Sequence, residues 1–327
     1  MNSSLQPPIA IAAFYRFVRL ADLGVLQSQL LDHLLALELK GTVLVAQEGI
    51  NGTIAGDRAS IDEFFAALLE DPRFAGVEVK HSHAAEMPFL RTKVKLKKEI
   101  VTLGIDVDAE HTTGTHVGPA EWNALIDDPE VLVIDTRNAY EVGIGTFQGA
   151  LNPDTDSFRD FPAWAQENLA GSEQRPIAMF CTGGIRCEKS TALLMSRGFK
   201  HVYQLDGGIL NYLAETDPEE SRWNGECFVF DGRISVDHAL APGAFDQCHA
   251  CRRPVSAADK ADPRYTEGVS CLHCFEATSI EQKAGFAERQ QQMKLAEERG
   301  QAHMGSEVDA SAQRNKAAKS ARHGVGS

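Results

Sequence analysis

Nowhere does this 327-residue sequence hold an apolar run near the roughly 20 residues that a membrane-spanning helix needs. Its first residues, Met1 to Pro8, lack the basic start and long apolar core of a secretory signal. An excess of positive charge is missing too, since 32 Lys and Arg stand against 46 Asp and Glu, a formal net charge of −14. That balance argues against sequence-blind binding to nucleic acid, which depends on neutralising phosphates, although grouped basic residues still grip RNA in an acidic protein. Seven cysteines are present, two pairs of them as Cys-x-x-Cys, and in a chain this long they do not form the dense disulfide framework of a small secreted domain. A soluble cytoplasmic protein is expected, with no membrane and no DNA partner. The length allows two domains and an accessory segment, and 43% hydrophobic residues suffice for real cores.

The most informative stretch runs from Pro176 to Gly198. Ile177 to Phe180 read as a buried strand ending at Cys181, and Thr182, Gly183, Gly184, Ile185 and Arg186 follow. From Glu188 the apolar residues Ala192, Leu193, Leu194 and Met195 suit a helix packed on a sheet. Two adjacent glycines let the backbone fold back so that N–H groups converge, and the helix N-terminus adds partial positive charge at the same point. Arg186 supplies a full one. Every neighbouring field therefore favours the Cys181 thiolate. A structural strand-end cysteine beside an ordinary turn would require neither the arginine nor the converging donors. Cys187, in the first helical turn, either packs or serves as a resolving thiol.

From the start of the chain, Ile9 to Val18 is a strand, Leu23 to Leu39 a helix, and Gly41 to Ala46 and the residues after Glu48 are strands joined by a turn. Ser60 is the expected cap of a helix through Glu70, with Glu63 as its capping-box partner. Val77 to His81 and Thr92 to Ile100 alternate as two more strands, and the whole pattern is that of a ferredoxin-like α+β domain over 1–101. His81 and His83 share a strand face but have no third ligand. Arg91, Lys93, Lys95 and Lys97 also share one face. They read either as a lysine-guarded sheet edge or as a phosphate-contacting ridge for RNA.

Residues 102–117 are polar and aperiodic and are expected to be a linker. Repeated strand–helix units over 118–222 imply a parallel sheet with helices on both sides: a helix at Ala120 to Asp127, a strand at Val131 to Ile134, a helix at Phe158 to Leu169, and a last strand at Val202 to Leu205 before a turn at Gly207-Gly208. Asp135, Arg137 and Glu141 read as a salt-bridge network supporting the neighbouring loop. In a module over 223–280, Cys248-x-x-Cys251 and Cys271-x-x-Cys274 are nineteen residues apart. Two such knuckles place four thiolates around one tetrahedral zinc, a closed and therefore structural site, with His249 and His273 outside it. Reduced, metal-free cysteines are the competing reading, and Cys227 is expected to pack. Residues 281–327 read as a charged helix followed by a disordered tail.

Residues 118–215 resemble a rhodanese domain, the sulfurtransferase fold in which a loop cysteine carries a persulfide. The resemblance rests on Val131-Leu132-Val133-Ile134-Asp135-Thr136-Arg137 with Glu141, on Phe147 to Pro153, on the Cys181 to Arg186 loop, and on Val202 to Gly208. The longer string Cys-Thr-Gly-Gly-Ile-Arg-Cys-Glu-Lys-Ser resembles the tRNA uridine hydroxylases, rhodanese-containing proteins that place a 5-hydroxyl on the wobble uridine. The likeness covers most of the chain apart from the last fifty or so residues. It implies an α/β protein with a ferredoxin-like domain, a rhodanese-like domain and a small four-cysteine module. It also implies an oxidoreductase in tRNA processing with molecular oxygen as co-substrate and tRNA as partner, and it favours the RNA reading of the basic strand.

Three enzyme classes compete. They are the tRNA hydroxylase with Cys181 as thiolate or persulfide, a rhodanese-type sulfurtransferase using small donors, and a cysteine phosphatase-like enzyme. The loop counts against the last, because only four residues separate Cys181 from Arg186, one fewer than the phosphatase pattern. No flavin, nicotinamide or haem motif is evident, nor a two-His-one-carboxylate set for iron.

Overall fold

The computed structural model describes residues 8–299, so the tail expected to be disordered over 300–327 lies outside the described residues. The first domain is built on a five-stranded sheet in the order β4-β1-β3-β2-β5. Its strands are β1 (Ile9–Phe17), β2 (Lys40–Ala46), β3 (Gly49–Gly56), β4 (Glu78–Ala84) and β5 (Thr92–Leu96), with α1 (Leu23–Ala36) and α2 (Arg58–Leu69). The first four strands have the expected ferredoxin-like order, and β5 is added parallel to β2 at the edge. Alternation divides each strand between two faces. Ala10, Ala12, Phe14, Val43, Val45 and Val94 pack under α1 and α2. Helix α1 stops short of the expected Leu39, and Glu38 takes a left-handed φ of 55° as the chain reverses into β2. Helix α2 begins earlier than expected, because Asp57, not Ser60, is its cap: the Asp57 carboxylate accepts from the Ala59 N–H at 2.9 Å.

The opposite face of this sheet carries no helix. Its register places Lys93 beside Thr42, Thr42 beside Thr53, Thr53 beside Ala13, and Ala13 beside Lys80. That face lies over the second domain.

The second domain holds a four-stranded parallel sheet in the order β6-β10-β9-β7. Along the chain come β6 (Thr115–Val117), α3 (Pro119–Ile126), β7 (Leu132–Asp135), α4 (Ala139–Val142), β8 (Gly145–Phe147), α5 (Phe161–Asn168), β9 (Ile177–Phe180), α6 (Ile185–Ser196), β10 (Val202–Leu205) and α7 (Gly208–Glu215). The segment read as a linker is part of the fold. Leu103 is fully buried against Phe158 and Phe161, and the last three linker residues form the edge strand β6. The turn expected at Gly207-Gly208 instead starts α7, whose Ile209, Tyr212 and Leu213 are buried.

Residues 223–236, expected in the four-cysteine module, pack with this second domain. Strand β11 (Trp223–Gly225) pairs with β8, and β12 (Cys227–Phe228) forms a hairpin with β13 (Ser235–Val236). Trp223, Cys227 and Val236 join Phe147 and Phe180 in one core, because the indole meets Phe147 edge-on at 5.2 Å. The four-cysteine segment follows with β14 (Asp246–Gln247), β15 (Pro254–Val255) and α8 (Ala257–Lys260). Helix α9 (Ile280–Glu298) ends the described chain, capped by Ser279. Among the described residues no helix is long and apolar enough to cross a membrane.

Buried charge on α6 fixes how the two domains meet. Lys189 is 1% exposed, and its ammonium group donates to Glu48 and Glu99 at 2.7 Å each and to the Val101 carbonyl at 3.1 Å. Beside it, the Glu188 carboxylate accepts from Tyr15 Oη at 3.0 Å and Thr113 Oγ1 at 2.6 Å, and lies 3.1 Å from His116 Nε2. The β12–β13 tip adds a third tie, with Arg233 Nη1 donating to Ser82 Oγ at 3.0 Å and the Gly232 N–H to the Pro88 carbonyl at 2.9 Å. Replacing Lys189 with Met keeps the stem volume but leaves two carboxylates facing each other without a cation. The expected cost is about 3 kcal/mol, the usual penalty for breaking a buried pair from one side. Urea unfolding measures it, and an unchanged midpoint would mean that the clamp contributes nothing.

Candidate active site

Strand β9 delivers Cys181 to the carboxyl end of the sheet, where such sheets carry their sites. The chain then turns through Gly183 and Gly184, the latter at φ 96°, and α6 starts at Ile185. The Gly184 N–H points at Cys181 Sγ at 3.2 Å. The start of α7 braces the loop from behind, as Ile209 N–H donates to the Cys181 carbonyl at 3.0 Å and Leu210 N–H to the Thr182 carbonyl at 3.1 Å. Only glycine fits at 208, where a Cβ would sit 2.6 Å from both the Cys181 carbonyl oxygen and the Gly184 nitrogen. Tyr15 of the first domain completes the enclosure, its hydroxyl lying 3.0 Å from where a Gly184 Cβ would be.

Cys181 is 1% exposed, and burial alone would raise its pKa. The Cys187 thiol, the Arg186 charge and the loop N–H groups outweigh that effect and bring it down to about 6. Cys187 moves the other way, pushed up by burial and by the neighbouring Cys181 sulfur, so this pair keeps its proton on Cys187. Cys227 packs as expected, and burial pushes it up to about 12. The contrast between Cys181 and Cys227 is one of surroundings, not depth.

Arg186 acts by charge and not by gripping sulfur. Its Nη2 donates to both oxygens of Glu141, at 2.8 and 3.0 Å, while its buried Nη1 has no partner. Arg137 is likewise held by Asp135, with Nη2 at 2.6 Å from Oδ2. Asp135, Arg137 and Glu141 thus form the expected ion-pair network under the loop.

Above the sulfur lies a cavity of about 500 Å³ between the two domains. Cys181, Thr182, Gly183, Ile185 and Arg186 line it from below, and Tyr15, Thr42, Asn51 and Thr53 from the helix-free sheet face. Lys93 and Lys95 lie on that same face, one strand out from Thr42 and Leu44. Lys95 and Lys97 are exposed, and Arg91 and Lys93 are half-buried. Strand β5 is therefore both the sheet edge and the rim of this face. His81 and His83 are exposed strand residues.

The four-cysteine set is a separate centre. Cys248, Cys251, Cys271 and Cys274 bring all four sulfurs within 4.8 Å of one another, with contacts of 3.9, 3.7 and 3.8 Å. Four Zn–S bonds of about 2.3 Å at tetrahedral angles separate sulfurs by about 3.8 Å. The thiols fit a metal such as zinc, and His249 and His273 are not part of the set.

Residues 9–100 match the family described as the UPF0176 acylphosphatase like domain, and residues 118–215 match the rhodanese-like domain. That pair of domains, in that order, is the architecture of the UPF0176 family. Solved structures with partial likeness include the rhodanese-like domain of the Alr3790 protein from Anabaena sp., 22% identical over 35% of this chain and 80% of that one, with a TM-score of 0.29. Another is RPA3614 from Rhodopseudomonas palustris, described as a possible tyrosine phosphatase, at 20% identity over 32% of this chain and 82% of that one, TM-score 0.28. A third is BlrP1 from Klebsiella pneumoniae, at 18% identity over 27% of this chain and 24% of that one, TM-score 0.25.

Sequence reasoning missed Tyr15, Glu188, Lys189 and the 228–236 hairpin tip. The available signal was the Glu-Lys pair opening α6, two charges on a helix that is buried for most of its length.

With its pKa lowered to about 6, Cys181 is expected to react as a thiolate at neutral pH. Its alkylation rate is expected to rise around pH 6 and level off, whereas an ordinary thiol accelerates up to about pH 9. Arg186→Met should move that rise upward by about one unit. A parent profile rising near pH 9, or one unmoved by the substitution, would contradict this account of the loop.

Proposed function

We propose that this chain is a cytoplasmic tRNA-modifying enzyme that hydroxylates C5 of the wobble uridine, with molecular oxygen as co-substrate and Cys181 as its nucleophile. The observation that carries the reading is the cavity over Cys181, roofed by the first domain, whose facing sheet continues into the Lys93 and Lys95 rim. At about 500 Å³ it falls in the roughly 300–1,000 Å³ range of small-ligand sites and can take one nucleoside. A sulfurtransferase for small donors uses the same thiolate but has no need of that roof. A phosphatase-like enzyme needs its loop arginine for the phosphoryl group, and here Glu141 holds Arg186.

In this reading the Cys181 thiolate adds to uracil C6, which pushes electron density onto C5. Oxygen is delivered there, its second atom leaving as water with two electrons and two protons from a reductant. Loss of the C5 proton and departure of the thiolate then restore the ring. Arg186 and the loop N–H groups keep the sulfur anionic on both occasions when it is free. A persulfide on Cys181 is the competing chemistry at the same atom. The exposed ends of Lys95 and Lys97 contact backbone phosphates, while four thiolates and zinc hold the later module together without a catalytic role.

Two variants test the proposal in one strain background. Cys181→Ser should abolish 5-hydroxyuridine in tRNA nucleosides measured by mass spectrometry. Replacing Lys93, Lys95 and Lys97 together with Gln should lower it and flatten the salt dependence of tRNA binding by about 0.7–0.9 log–log units per lost contact. Sulfur loading from thiosulfate should survive the lysine changes. Normal 5-hydroxyuridine with Cys181→Ser would overturn the proposal.

A further inference from the structure

Phe230 stands at the tip of the β12–β13 hairpin, where its exposure is at odds with its surroundings. The tip is fixed: Asp231 and Arg233 form a buried ion pair at 2.7 Å, and the Ser82 and Pro88 bonds tie it to the first domain. Phe228 meets the Phe230 ring edge-on at 5.2 Å and is itself met edge-on by Tyr140 at 5.3 Å. The Arg186 guanidinium lies 5.6 Å from the Phe230 ring centre. Yet Phe230 is 59% exposed, and among the described residues every other phenylalanine, tyrosine and tryptophan is buried or half-buried. It borders the cavity that ends at Cys181. A rigidly held ring with an open surface at the mouth of a site is a preorganised platform for a flat partner.

The chemistry beyond the ring indicates which flat partner. Elsewhere the walls carry Asn51 and Asn211, each of which donates one amide N–H to a backbone carbonyl and keeps its side-chain oxygen, and the hydroxyls of Thr42 and Thr53, groups that pair with the polar edge of a base. Cationic side chains flank them, Lys80 on one side of the sheet face and Lys93 and Lys95 on the other. An aromatic surface, polar side chains and a basic rim around one cavity match an unpaired base still attached to its strand. We infer that Phe230 is the stacking platform for an everted pyrimidine of single-stranded RNA, holding the base at the entrance while its C5–C6 edge faces Cys181. The inference rests on the tRNA reading and assigns a substrate-binding residue to it.

Full-length parent, Phe230→Leu and Phe230→Tyr proteins are titrated with an anticodon stem–loop RNA, and with the same RNA made abasic at the wobble position. Stacking on an aromatic ring predicts that Leu weakens binding of the intact RNA roughly tenfold and that Tyr keeps it. With the abasic RNA, parent and Leu proteins should bind alike, an outcome that a merely structural role for the ring would not produce. The alkylation profile of Cys181 checks that the Leu protein keeps its loop; should it fail to fold, the parent's preference for intact over abasic RNA and the Tyr protein's match to it carry the test. Equal binding of the intact RNA by parent and Leu, or an equal loss on both RNAs, would overturn the platform. A parent that does not bind the stem–loop at all would overturn the tRNA reading first, and the platform with it.

Discussion

A lysine that is almost wholly out of water governs the arrangement of this protein. Lys189 belongs to α6, but both carboxylates that neutralise it, Glu48 and Glu99, come from the first domain and its exit. Docking takes that ammonium out of water, and a buried ammonium without partners costs several kcal/mol, so the sheet can dock on α6 only where both carboxylates meet it. Docking of the sheet on α6 satisfies the charge, and the same docking seats Tyr15, Phe17, Ala46 and Ile100 against Ile185. Glu188, one residue earlier, stays ionised for the same reason: burial works against it, and His116, Thr113 and Gln204 outweigh burial. The consequence for chemistry is that the cavity over Cys181 exists only in the docked state. The ten-residue string from Cys181 to Ser190 thus joins two tasks, the loop that lowers the Cys181 pKa and the clamp that roofs it.

Charge in the loop itself is arranged in layers. Asp135 holds Arg137 and Glu141 holds Arg186, so each cation beneath the loop is nearly balanced before the sulfur is considered. The residual field falls on Cys181, where the loop N–H groups also converge, and the proton shared with Cys187 stays on the helix side. Cys227 is equally buried and has no such surroundings, which is why its thiol is pushed up and inert.

Much of this was legible in the residues, and what was not has a common cause. Ile177–Phe180 is a continuous apolar run flanked by loop residues, and its identity as a central strand follows from composition alone. The Cys181 loop was readable because glycines, arginine and cysteine each answer a local requirement. Strand β6 was hidden in a polar stretch, since three residues at a sheet edge leave no period. The start of helix α7 reads as a turn in the sequence because two glycines signal reversal, whereas they serve to let its first N–H groups approach the Cys181 loop. The clamp, the hairpin tip and the roof over the sulfur are contacts between residues about 140 to 170 apart in sequence, and no local pattern encodes such meetings.

The central claim is that an RNA base enters between the two domains to meet Cys181. Photo-crosslinking tRNA that carries 4-thiouridine at the wobble position, followed by mass spectrometry of the linked peptides, tests it most directly. The account predicts crosslinks on both sides of the cavity, in the 181–187 loop or the 228–236 hairpin and in the first-domain strands that carry Tyr15 and Asn51. Bound tRNA that crosslinks only to the four-cysteine module, or to none of the cavity residues, would contradict it.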